Sequence, residues 1–256
     1  MYPGMVLENH CNKKAFETTT NTSFPLLECP AVAIDVLYCQ KRGIKVLITV
    51  ANVSSTIIET DEEGEERAVM MWNLFLGGQD NYRPFGDVVL DGVDLMIRDS
   101  SKGYLRYAQK LRQLMNADQS RKYLLSISPV ASFSDAYSGP GRTNTVLSHP
   151  ELFDYICLFA MSSPDCTARN SNQFWDTLWK WNEWIGRSCP TNGPTLILAL
   201  PASDAVSGVA SPRDYASVSR IATLAFQNNI RKVSRITGFL IFDYSIDNVS
   251  VPCNLI

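Results

Sequence analysis

One short stretch carries the residues whose types and spacing suggest chemistry. Gly92 to Arg98 reads as a strand, preceded by Asp91. A strand places residues 94, 96 and 98 on one face. Asp94 offers a carboxylate, which can hold or pass a proton. Met96 can do neither. Arg98 closes the face with a guanidinium that stays protonated, its pKa above about 12, so it cannot serve as a general acid near neutral pH. A buried lone guanidinium is costly, so a carboxylate partner is expected for Arg98, either Asp94 or Asp91. Two other uses stay open: Arg98 can recognise an anionic or hydroxyl-bearing ligand, and Asp94 can act as an acid.

Other residue sets offer less. Trp175, Trp179, Trp181 and Trp184 would make a carbohydrate platform if they faced solvent, but Trp175 and Trp179 share a helical face with Leu178, which favours helix packing. His10 and His149 stand beside no acid or cysteine pattern with metal spacing, so no metal or cofactor is expected. No Ser or Cys has a histidine partner that would activate it for acyl transfer.

The elements that position these residues alternate along the chain. Helices are predicted over 31–40, 65–76, 102–115, 173–185 and from the Ser211-Pro212 start to about 227. Strands are predicted over 45–50, 92–98, 123–128, 155–161, 195–200 and 238–244. The expected stripes are Val69, Trp72 and Leu76 on the second helix, and Leu105, Ala108, Leu111 and Met115 on the third. This alternation predicts an α/β fold with parallel strands and helical crossovers. No Gly-x-Gly-x-x-Gly follows a strand, so a dinucleotide site has no support. In a β/α barrel, functional residues would sit at the C-terminal strand ends.

Composition sets outer bounds. The 256 residues, 45% of them hydrophobic, are enough for one sizeable core, and the chain is read as one domain over 1–256. A net charge of −3 with no basic tract argues against nucleic acid as a partner. The acid run Asp61-Glu62-Glu63-Gly64-Glu65-Glu66 reads as a solvated lead into a helix. No apolar run reaches membrane-span length, and no secretory leader is visible in residues 1–10. Yet seven cysteines and the Asn-x-Ser/Thr sites at Asn21, Asn52 and Asn248 suit a secretory compartment. Seven reduced thiols in a cytosolic chain is the alternative.

Arg83-Pro84-Phe85-Gly86-Asp87 and Leu90-Asp91-Gly92-Val93-Asp94-Leu95-Met96-Ile97-Arg98 resemble the signature strand of glycoside hydrolase family 18, in its hevamine-like plant class III chitinase branch. The family pattern is Leu-Asp-Gly-[Ile/Val]-Asp-Phe-Asp-[Ile/Leu]-Glu. Similar stretches follow in register at Trp72 to Gly78, Leu152 to Tyr155 and Leu198 to Ala202. The resemblance implies a TIM-type (β/α)₈ barrel. The strand at 45–50 matches the family's third, so about six of eight strands are expected here, the first two being absent. Such an open barrel would leave edges at 45–50 and 238–244.

The resemblance also implies a mechanism and its loss. In the family a Glu at the strand end protonates the glycosidic oxygen. The Asp two residues earlier steadies the sugar's own acetamido group as it attacks. Arg98 and Met96 stand at those positions. Asp91 and Asp94 match acids that only support the missing pair. Met161 stands where the family has a sugar-contacting Tyr, and Phe242 where it has a Trp flooring the subsite, which keeps a smaller π face. The implied function is a catalytically inactive chitinase-like protein of plant defence. It would be a monomer that binds a polysaccharide, or a microbial glycosidase such as a xylanase, as an inhibitor. Cereal xylanase-inhibitor proteins are similar at Arg83 to Asp87 and Asp91 to Leu95, and concanavalin B and narbonin are seed proteins of the same fold. A storage protein without a ligand, and a chitinase in the ordinary sense, are the alternatives. Asp94, Arg98 and Phe242 are the ligand-binding candidates. The family further implies disulfides Cys11–Cys29 and Cys166–Cys189, with Cys39 left without its partner and Cys157 and Cys253 unpaired.

Overall fold

The computed structural model describes residues 11–14, 26–51, 58–98, 102–140, 145–159, 171–201 and 236–242. They divide into two units, 1–125 and 126–256. Within each unit the strands that follow the first helix pair in parallel, with helices in sequence among them, so the fold is α/β as the alternation predicts.

The first unit contains two three-residue strands that no periodicity predicts. β1 (Asn12–Lys14) and β2 (Leu26–Glu28) are antiparallel, with Asn12 opposite Glu28. A disulfide joins the flanking Cys11 and Cys29. Helix α1 (Pro30–Gln40) begins at once, with Pro30 in the first turn, where its missing N–H leaves no bond unmade. Cys39 on this helix is disulfide-bonded. This corrects the expectation of an orphan, which assumed that its partner lay in a segment the chain lacks.

β3 (Leu47–Ala51) and β4 (Gly92–Met96) run parallel, Leu47 opposite Gly92 and Ala51 opposite Met96. Among the described residues β3 pairs with β4 alone. Helix α2 (Asp61–Phe75) lies between them in sequence and starts four residues earlier than predicted. The reason is a capping box. The Thr60 hydroxyl accepts the Glu63 N–H at 3.2 Å, and the Glu63 carboxylate accepts the Thr60 N–H at 3.4 Å. The acid run is therefore the first turn of the helix, where its charge complements the dipole.

The buried stripe of α2 is Gly64, Ala68, Met71 and Phe75, and Val69 is exposed. The predicted face is thus rotated. Gly64 explains it: a Cβ there would stand 2.4 Å from the Gly103 carbonyl oxygen. This close approach sets α2 against the start of α3 (Tyr104–Ala117). α3 buries Ala108, Leu111 and Met115 as predicted, with Tyr104 and Tyr107 added and Leu105 only half-buried.

β5 (Leu124–Ile127) spans the boundary between the units. In the second unit it pairs with β6 (Tyr155–Phe159), β6 with β7 (Thr195–Pro201), and β7 with β8 (Ile236–Phe242), all in parallel. Helix α4 (Ser171–Ser188) follows β6 and is longer at both ends than the predicted 173–185. The predicted helix from Ser211 lies outside the described residues.

Candidate functional site at the end of strand β4

β4 is buried on both faces, as a strand covered by helices must be. Val93 and Leu95 are fully enclosed, and Asp94 is buried on the other side. Gly92 starts the strand because nothing larger fits: a Cβ would lie 1.9 Å from the Leu124 carbonyl oxygen. Leu124 in turn donates its N–H to the Asp91 carbonyl at 2.9 Å, which starts β5 beside β4.

Asp91 belongs to the entry of the strand and not to its functional end. Its Oδ2 accepts the Val46 N–H at 3.0 Å and the Gln40 side-chain amide at 2.9 Å. Its Oδ1 accepts the Lys45 ammonium at 3.1 Å. Burial pushes this carboxyl up, but the Val46 N–H, the Gln40 amide and Lys45 outweigh it and hold the pKa below the ordinary carboxylate value. Seven residues of extended chain, about 23 Å, separate Asp91 from Arg98. Asp91 is therefore no partner for that guanidinium, which corrects one of the two expected pairings. Its cation is Lys45.

Asp94 and Met96 alternate with Val93 and Leu95 along β4. Asp94 is level with Thr49 and Met96 with Ala51, the last residue of β3. Arg98 lies beyond the C-terminal end of β4, half-buried, and donates from Nη1 to the Ile97 carbonyl at 2.8 Å. A permanent cation at this point can hold an anion or a sugar hydroxyl. It cannot release a proton to a leaving oxygen.

Phe242 is the last residue of β8, level with Pro201 of β7. Met161, Cys166, Asn21, Asn52, Asn248 and Cys253 lie outside the described residues. Cys189 is buried just beyond α4, and Cys157 is buried on β6. Among the described residues no group of three His, Cys, Asp or Glu side chains could hold a metal ion. No described helix is long and apolar enough to cross a membrane.

The tryptophans of α4 do not form a platform. Trp175 and Trp181 are buried, and the Trp181 indole N–H donates to the Ala131 carbonyl at 2.8 Å. Trp179 and Trp184 are half-buried. An open concavity of about 410 Å³ lies over the first turns of α2, lined by Asp61, Glu62, Glu65, Glu66 and Arg106. The Arg106–Glu65 ion pair spans it, with an N–H···O distance of 2.6 Å from Nε. This is the solvated acid run, now seen as a helix start.

Arg83 was read only as part of a motif, and its structural role was missed. Its Nη1 donates to the Asn73 and Gly78 carbonyls, its Nη2 to those of Leu76 and Val88, and its Nε to that of Gly86. It thus gathers the C-terminal end of α2 and the turn leading to β4. The Gly77-Gly78 stop followed by a lone arginine is the signal that pointed to it.

No protein-family model matches the sequence. Comparison with curated proteins finds "Chitinase 2" of Rhizopus oligosporus, 32% identical over 229 residues, 88% of this chain and 39% of that one. An acidic endochitinase of Cicer arietinum is 30% identical, the match covering 83% of this chain and 64% of that one. The chain thus spans between about two fifths and two thirds of the length of these relatives. Among solved structures, a xylanase and α-amylase inhibitor protein of Scadoxus multiflorus superposes with a TM-score of 0.71 at 20% identity, over 90% of this chain and 80% of that one. At that identity the likeness speaks for the fold alone.

Proposed function

Since the chain is a homologue of the chitinases and has the TIM-barrel fold of glycoside hydrolase family 18, we propose that it binds carbohydrate without hydrolysing it. Arg98 carries this reading. The signature stretch matches from Asp91 to Asp94, has Leu95 for the pattern's Phe, and then supplies Met96 and Arg98 where the resemblance requires two acids. Replacing an ionisable carboxyl by a fixed cation removes the proton source, and replacing its neighbour by a thioether removes the group that would steady the acetamide. The strand still folds as β4 and still delivers position 98 beyond its C-terminal end.

A second reading is inhibition of a foreign glycosidase. It is favoured by the fold shared with the Scadoxus multiflorus inhibitor protein and by the Arg83 to Asp87 and Asp91 to Leu95 strings. The two readings separate in one set of measurements. Retention of the purified chain on chitin or xylan supports carbohydrate binding. Loss of activity of an added microbial xylanase supports inhibition. Neither effect at any concentration tried would leave a storage role and overturn the proposal. The Cys11–Cys29 disulfide and the bonded Cys39 fit a secretory compartment for either role.

A further inference from the structure

The loop that follows β5 presents two aromatic rings to solvent on a frame of buried pins. Phe133 is 37% exposed and Tyr137 39% exposed. The residues around them are fixed. Ala131 is buried, and its carbonyl receives the Trp181 indole N–H. The Phe133 ring stands edge-to-face with Trp181, centroids 5.4 Å apart and planes at 88°. Asp135 is 1% exposed and accepts the Ser138 N–H at 2.7 Å and the Ser138 hydroxyl. The Ser138 carbonyl accepts the Leu147 N–H at 3.1 Å, and the Gly139 carbonyl accepts the Thr145 hydroxyl at 3.0 Å.

We propose that this loop, residues 131–139, is a stacking platform for a neutral β-linked polysaccharide, with Phe133 and Tyr137 as its two rings. The inference rests on the carbohydrate-binding reading above and gives it a second place, in the loop after β5. Three features select the ligand. The only charged residue from Ser128 to Pro140 is Asp135, and it is buried, so the exposed surface of the loop is uncharged. An acidic lipid surface or a charged protein would gain nothing there. Exposed Ser134 and Ala136 lie between the two aromatic residues in sequence, so polar and apolar groups alternate along the exposed part of the loop. That mixture suits a pyranose chain, which offers flat C–H faces rimmed by hydroxyls. Those C–H groups carry partial positive charge and match the negative face of an aromatic ring. Finally, the loop is already ordered by its buried contacts, so little conformational freedom is lost when a sugar lands.

Native gel electrophoresis with and without embedded hydroxyethyl chitin, xylan or hydroxyethyl cellulose tests this on the whole chain. The wild type should be retarded by at least one of the three. The double variant Phe133→Ala, Tyr137→Ala should lose roughly tenfold or more in apparent affinity for that polymer, while Phe133→Trp should keep or raise it. Tyr137→Ser alone leaves the Phe133–Trp181 contact in place and should weaken retention at an unchanged melting temperature, which guards against a folding defect in the double variant. A retarded wild type with equally retarded loop variants would overturn the platform and leave carbohydrate binding to another surface. A wild type retarded by none of the three would overturn both.

Discussion

Removing the Asp91 carboxylate should destabilise the chain strongly and leave ligand retention unchanged. In Asp91→Ala the Val46 N–H, which Oδ2 now serves at 3.0 Å, loses its acceptor, and the Gln40 amide, 2.9 Å from Oδ2, keeps only the Val89 carbonyl. A donor left unmet costs about 1–3 kcal/mol, so with the weakened Gln40 bond the change should cost about 2–4 kcal/mol. Lys45 adds little, because its side chain is 59% exposed and such ion pairs contribute about 0–1 kcal/mol. Asp91→Asn can keep a carbonyl oxygen in the Oδ2 position, so it loses mainly the charge assistance, about 1–2 kcal/mol. Lys45→Ala should cost less than about 1 kcal/mol. Urea unfolding followed by tryptophan fluorescence measures all three. Folded domains hold only about 5–15 kcal/mol in total, so Asp91→Ala should visibly lower the midpoint. The reasoning fails if Lys45→Ala costs as much as Asp91→Ala, or if Asp91→Ala costs less than about 1 kcal/mol.

The same carboxylate sets an acid limit. Its folded-state pKa lies below the ordinary value, so its contribution is complete above about pH 4 and is lost as pH falls through the lowered pKa. The stability gap between wild type and Asp91→Asn, measured by urea unfolding at each pH, should therefore narrow as pH falls below about 4 and stay constant from pH 5 to 7. Arg83→Lys should lower stability by about 2–4 kcal/mol, since a single ammonium cannot reach the five carbonyls that the fork now serves; thermal denaturation reads this. Gly92→Ala should fold poorly or not at all, because its Cβ would meet the Leu124 carbonyl at 1.9 Å, whereas Gly186→Ala on α4 meets nothing within 4 Å and should gain up to about 1 kcal/mol. Soluble yield and melting temperature compare the two.

Much of the fold was legible because long elements carry long signals. The stripe of Ala108, Leu111 and Met115 predicted α3, the β-branched run at 45–50 predicted β3, and the apolar run at 195–200 closed by Pro201 predicted β7. The misreadings have local causes. β1 and β2 are three residues each, too short for any period to show, and their order comes with a disulfide. The buried face of α2 is set by Gly64, where the absence of a side chain allows α3 to approach; a stripe of large apolar residues cannot report that. The start of α2 was missed although Thr60-x-x-Glu63 spelled it out.

The site was less legible than the fold. Strand parity groups Asp94, Met96 and Arg98, but it left Asp91 open as a partner for Arg98, and the structure engages Asp91 with Lys45. The contacts that occupy Asp91 come from the Gln40 and Lys45 side chains and the Val46 N–H, more than 40 residues away, and no local pattern announces them. The α4 tryptophans illustrate the same limit. Helical spacing favoured packing, and Trp175 and Trp181 are indeed buried. Two of the rings that reach solvent, Phe133 and Tyr137, sit in an irregular serine-rich loop that has no periodicity to read.

The most direct test of the central claim is product analysis after prolonged incubation of the purified chain with an N-acetylglucosamine oligomer. With Arg98 in place no shorter oligomer should accumulate above the level without protein. Release of shorter oligomers by the wild type, abolished by Asp94→Asn, would contradict the account, because it would show a proton reaching the leaving oxygen from a group other than the one that position 98 lacks.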